Sequence, residues 1–235
     1  MRNRLIGLFA LMGLGGPAIA QDSYLGGAYI NAGIGNAGLQ AAMQGSNQTV
    51  RRPLAVPRSV ATTRLSYHVS LHNRSANLAN FVSRIRKTDP TGAKQLETLF
   101  ASTDVIGRMS QALAGYGLHS DNIADAYAVW WSNSWQVAHG DFRDMSRATA
   151  QAIRAQAVNT LVGIPMIGRM TDEAKQEFAE TLLVQAMLFS NFVDTHKGDR
   201  ASMAKLATAV RRGAKAQGLD LDAMTLTDHG FVPAG

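Results

Sequence analysis

The sequence predicts an all-α fold: a single-domain helical bundle of about seven helices, preceded by a signal peptide and a flexible Gly/Ala/Asn-rich linker. Three observations carry the prediction. Apolar residues recur at three- and four-residue spacing through seven successive stretches. The stretches are joined by short loops that open on capping side chains or close on glycine. Alternating strand patterns are nearly absent, which leaves helix-on-helix packing as the way to bury the apolar faces.

Residues 1–20 have the three parts of a secretion signal. Met1-Arg2-Asn3-Arg4 is a charged start, Leu5 to Leu14 is an apolar run, and Gly15-Gly16-Pro17 breaks it before Ala18-Ile19-Ala20. Small residues at the first and third positions before Gln21 suit a signal peptidase, so cleavage is expected after Ala20. The apolar run is too short for a span, which needs roughly 20 residues, and no later stretch is apolar enough to serve as one. The chain is therefore expected in the periplasm or outside the cell, with no transmembrane segment after cleavage.

Residues 21–58 are rich in Gly, Ala, Asn and Gln, and Pro53 and Pro57 close the segment. Few large apolar side chains are available to offset the entropy of ordering it, so a flexible linker is expected, mildly basic at its end. Gly33-Ile34-Gly35-Asn36-Ala37-Gly38 matches the glycine spacing of dinucleotide sites. No strand precedes it and no helix with a ribose-binding acid follows, so the match carries no weight.

From residue 59 to 235 the pattern is that of an all-helical domain. Leu78, Phe81, Val82 and Ile85 form the apolar face of a first helix that ends before Pro90. Asp89 is placed to cap the second, and Pro90 suits its first turn. The third runs from Thr103 to Tyr116 and stops at Gly117. The fourth opens at Ser120 or Asp121 and closes at His139-Gly140. A fifth covers about Asp144 to Val162. The sixth starts at the N-cap Thr171, with Phe178, Leu182, Gln185, Phe189, Phe192 and Val193 in one seam, and its broad apolar surface marks it as central. The last, about Arg200 to Gln217, presents Met203, Leu206, Val210 and Ala214. Arg64 to Leu71 and the tail around Leu219 to Leu226 are the only strand candidates.

Several short motifs point one way. Ala124-Asp125-Ala126-Tyr127-Ala128-Val129-Trp130-Trp131, with Leu65-Ser66-Tyr67, Asn77-Leu78-Ala79 and Thr227-Asp228-His229-Gly230-Phe231, resembles a family of uncharacterised exported bacterial proteins known only as a domain of unknown function. The resemblance covers roughly Arg64 to Phe231. It implies a shared helical domain and carries over no catalytic or ligand residue.

Composition narrows the chemistry. The absence of cysteine excludes disulfides, thiolate zinc sites and cysteine nucleophiles. Loss of Arg2 and Arg4 with the signal leaves 21 basic against 17 acidic side chains. Eight of the basic residues lie between Arg51 and Pro90 (Arg51, Arg52, Arg58, Arg64, Arg74, Arg84, Arg86, Lys87), with Asp89 as the single acid. Such an arm suits an anionic surface, with Arg51, Arg52, Arg84 and Lys87 as candidate contacts, or it is simply a solvated tether.

Trp130 and Trp135 are candidates for an aromatic platform on which sugars or bases stack. The more ordinary alternative is that all three tryptophans fill the interior, each indole N–H finding a carbonyl. His68 and His72 have metal-binding spacing, but their surroundings read as extended and no third ligand lies nearby, so no metal is expected. No motif implies a cofactor.

A wall-cleaving glycosidase needs a protonated acid in an apolar cleft with a second carboxylate close by. Glu97 is the candidate acid, with Asp104, Asp121 or Asp125 as partner, because Glu173, Glu177 and Glu180 share a polar helix face that looks solvated. The favoured reading is a non-enzymatic binding or interaction module of the bacterial envelope, with an unknown envelope component or protein as partner. The glycosidase and a peripheral anionic-membrane binder are the alternatives, and nucleic acid is the least favoured partner.

Overall fold

The computed structural model describes residues 37–51 and 64–235. The expected signal peptide and the rest of the expected linker, Arg52 included, lie outside the described residues. Among those described, eight α-helices and one two-stranded hairpin make an all-α domain.

The first helix corrects the expected linker. Ala37–Arg51 is α1, and Leu39, Ala42, Met43, Ser46 and Val50 form its buried stripe. Their spacing is helical, but with Ala42 and Ser46 in the stripe only three large apolar residues mark the face in a segment so rich in Gly, Asn and Gln. The helix packs on α6 (Arg147–Val162). Its polar residues also reach inward: Ser46 Oγ shares a 2.8 Å hydrogen bond with Tyr127 Oη, and Asn47 Nδ2 donates to the Gly218 carbonyl.

The seven expected helices are present. They are α2 (Leu71–Arg86), α3 (Pro90–Ser102), α4 (Val105–Ala114), α5 (Ile123–His139), α6, α7 (Asp172–His196) and α8 (Arg200–Ala216). The caps explain their boundaries. Asp89 accepts from Gly92 N–H and Thr171 from Ala174 N–H, as expected, whereas the cap of α5 is Asn122, accepting from Ala124 and Asp125 N–H. Gly140 ends α5 with φ of 63°, a left-handed conformation that side chains with a Cβ resist.

The centre of the bundle is a pair of helices. Along α5 every residue from Ile123 to Ala138 is buried, and it packs on α7, α6 and α8. The seam of α7 is buried too, Phe178, Leu182, Phe189, Phe192 and Val193 included. Helix α2 leans on α3 and α7.

Of the two strand candidates, Arg64 to Leu71 forms no strand: Arg64, Leu65 and Leu71 are helical, Ser66 makes one isolated bridge to Asn122, and Tyr67 N–H donates to the Asp121 carbonyl. The tail forms a 3-10 turn, Leu221–Ala223, and then an antiparallel hairpin of β1 (Met224–Thr227) and β2 (Gly230–Pro233). The hairpin packs on α6 and α1.

Candidate functional site

The aromatic residues of α5 are structural. Trp130 is 1% exposed and Trp135 is 5% exposed, so neither offers a free face on which a sugar or base could stack. Phe231 of β2 lies 4.5 Å from Trp131 and 6.2 Å from Trp135, ring centre to ring centre. Trp135 Nε1 donates to the Met224 carbonyl at 2.8 Å and Trp131 Nε1 to the Met224 sulfur at 3.2 Å. Trp130 Nε1 has no acceptor among the described residues, which departs from the expected indole-to-carbonyl bonding. A buried unpaired donor costs about 1–3 kcal/mol. The indoles thus clamp the hairpin to the bundle.

The acids are dispersed. Glu97 is 56% exposed and paired with Arg86, so it has no apolar cleft to keep it protonated. Asp104 caps α4 through Gly107 N–H, and Asp121 is exposed. Asp125 is buried, accepts from Arg154 Nε and from His119 N–H, and has its carboxyl pushed above the usual range because burial outweighs those partners. The nearby charges acting on it are Arg154 and His119, not a second carboxylate.

Glu180 is also corrected. It is 1% exposed, not solvated, and it gathers Arg74 Nε at 3.0 Å, Asn77 Nδ2 at 2.8 Å and Gln176 Nε2 at 2.9 Å. These bonds tie α2 to α7. Asp125 and Glu180 are therefore locks between elements, the role expected of buried charges that are paired and hydrogen-bonded.

His68 and His72 do not converge on a third ligand. His68 is exposed, with Nδ1 2.8 Å from Asp172 Oδ2, and His72 is exposed on α2. No group of three ligating side chains occurs among the described residues. Arg51 is exposed at the end of α1, and Lys87 is exposed at the end of α2. Three other cations of the basic arm are paired with acids on other elements: Arg74 with Glu180, Arg84 with Glu177 at 2.7 Å, and Arg86 with Glu97. The positive charge of these three side chains is thereby offset.

A polar cleft of about 290 Å³ opens instead where the α5–α6 loop meets the hairpin. Its wall includes Gln136, Asp141, Arg143, Asp144, Thr227 and Asp228. Arg143 grips Asp141 with two nitrogens, Nε at 2.8 Å from Oδ1 and Nη2 at 2.6 Å from Oδ2, and this holds the Asp141 carboxyl below the usual range. Gln136, at the last full turn of α5, is buried. Its Nε2 donates to the Arg143 carbonyl at 3.0 Å, and its Oε1 has no donor among the described residues. Asp228 stands exposed in the hairpin turn.

None of these cleft residues was among the sequence candidates. Asp141-Phe142-Arg143-Asp144 and Thr227-Asp228-His229 lie more than eighty residues apart, and nothing in the sequence brings them together.

The comparisons with known proteins agree with the resemblance. The sequence pattern of DUF6683, a family of unknown function, matches residues 1–233. The chain belongs to this family. No curated protein and no solved structure matches it. Among the described residues no helix is long and apolar enough to cross a membrane.

Proposed function

We propose that this member of DUF6683 is a non-enzymatic binding module of the bacterial envelope, exported by its N-terminal segment, whose cleft receives a cationic, hydrogen-bond-donating group of an envelope component. One observation carries the reading: the cleft wall is dominated by acceptors. Three carboxylates, Asp141, Asp144 and Asp228, face one guanidinium, Arg143, which is already engaged by Asp141. The buried Oε1 of Gln136, with no donor among the described residues, adds a neutral acceptor in the same wall. A buried acceptor without a donor is costly, and an ammonium or amide N–H of a partner would offset that cost.

The surroundings of the candidate acid support binding over hydrolysis. Glu97 is solvent-exposed and held by Arg86, whereas a catalytic acid of a glycosidase sits in an apolar cleft beside a second carboxylate.

The test is a charge reversal in the cleft. The protein purified after export should capture a discrete partner from envelope extract. Asp228→Lys should lose that partner by at least tenfold, while Glu97→Gln, which does not line the cleft, should retain it. Incubation with cell-wall sacculi should release no soluble sugar fragments. Fragment release that Glu97→Gln abolishes, or capture indifferent to Asp228→Lys, would overturn the reading.

A further inference from the structure

Besides the arm that stands out in the sequence, a second cation-rich stretch lies on the surface of the fold. Helix α8 carries Arg200, Lys205, Arg211, Arg212 and Lys215 and no acid between Arg200 and Ala216. Its apolar residues Leu206, Ala209, Val210 and Ala214 are buried in the bundle, so the cations stand on the outward side. Lys205, Arg212 and Lys215 are exposed, and so are the small residues Ala201, Ala204 and Thr208 of the same helix. Arg211 is drawn to Asp222 at 2.9 Å and Lys215 to Asp220 at 3.9 Å. Lys205 and Arg212 have no carboxylate partner among the described residues.

Between those two cations lies an open hollow of about 340 Å³, floored by Ala204, Thr208 and Ala209 and free of acids. A second hollow of the same size shares Thr208 and Arg212 and extends to Lys215, but Asp220 and Asp222 also line it, so the acid-free hollow between Lys205 and Arg212 is the one suited to an anion. Seven residues along a helix span about 10 Å, so Lys205 and Arg212 address two separate anions, not one.

We infer that the outward face of α8, centred on Lys205 and Arg212, docks onto an anionic phospholipid surface. The hollows are shallow and lie in a row, which suits a planar array of headgroup phosphates better than a single enclosed ligand. The large exposed apolar side chains among the described residues are Val69, Leu71, Met166 and Val232, none of them on α8. Attachment is therefore electrostatic and reversible, without insertion of an apolar face. Within the expected arm, Arg74, Arg84 and Arg86 are already paired in the fold.

Sedimentation of the exported protein with phosphatidylcholine vesicles, with and without phosphatidylglycerol, tests this. Binding is expected only to the anionic vesicles and should fall as salt screens the charges. Lys205→Gln with Arg212→Gln should weaken it about 30-fold, at about fivefold per cation near the surface. Lys205→Arg with Arg212→Lys should restore it, and Arg84→Gln with Arg86→Gln should change it less than about threefold. Unchanged thermal melting of the first double variant confirms that the fold is intact. Equal binding to neutral vesicles, a larger loss in the Arg84/Arg86 variant than in the Lys205/Arg212 variant, or tighter binding to a soluble nucleic acid than to anionic vesicles would each overturn the inference.

Discussion

Two aspartate–arginine pairs in this molecule have the same chemistry and opposite consequences. Asp125 meets Arg154 inside the bundle, where its carboxylate is fully buried. Asp141 meets Arg143 at the rim of the cleft, where the guanidinium is 79% exposed. Arg143 lowers the titration of Asp141, while Asp125 titrates above its usual range although Arg154 and His119 N–H both bond to it. The difference lies in desolvation. A partner helps a carboxylate by an amount that the geometry sets, and burial opposes it by an amount that the surroundings set. At Asp125 burial prevails; at Asp141 the bidentate grip does.

The largest effect that follows is at the buried pair. Arg154→Ala leaves the Asp125 carboxylate inside the bundle with only the His119 N–H, and removal of one partner of a buried pair costs about 3–5 kcal/mol. Urea unfolding at neutral pH should show that loss. A loss below about 1 kcal/mol would mean that water reaches Asp125 and that it is not buried in the sense its position implies.

The exposed pair sets the contrast. Asp141→Asn removes a surface ion pair whose Coulomb energy is screened by solvent, so stability should fall by no more than about 1 kcal/mol. The same substitution should weaken capture of the proposed envelope partner, because Arg143 is then released as an uncompensated cation in the cleft. Full retention of that partner would separate the Asp141–Arg143 pair from the binding surface.

The sequence made the helices legible and the pairings illegible, for one physical reason. Helix ends are local: Asp89, Thr171, Gly117 and Gly140 announce themselves by residue type and act within a few positions, and all four mark boundaries in the fold. Partners are not local. Glu180 shares a polar helix face with Glu173 and Glu177, and only its position under Arg74 and Asn77 of α2, more than a hundred residues earlier, makes it a buried lock. The cleft was hidden in the same way, since Gln136 and Asp228 are close only because Phe231 and Met224 pack on the tryptophans of α5. Helix α1 is a different case. Its stripe, Leu39, Ala42, Met43, Ser46 and Val50, has helical spacing in the sequence, but Ala42 and Ser46 interrupt the three large apolar residues and lower the contrast. That spacing was the signal from which the helix could have been read.

The smallest effect is a slope, and it has a sign for each aspartate. The folded-state titration of Asp125 is raised, so the stability linked to it is fully present below the unfolded value, about 3.9, and is lost as pH rises through the folded value. That of Asp141 is lowered, so its contribution is present above about 3.9 and is lost as pH falls through the folded value. Unfolding free energies of wild type, Asp125→Asn and Asp141→Asn, measured from strongly acid to neutral pH, isolate the two contributions, because each asparagine removes one titration and leaves the rest. The wild-type advantage over Asp125→Asn should shrink as pH rises above the ordinary aspartate range. The advantage over Asp141→Asn should instead grow as pH rises toward that range and then level off. Should both advantages grow with pH, Arg154 must outweigh burial at Asp125, and the two pairs would differ in strength alone and not in kind.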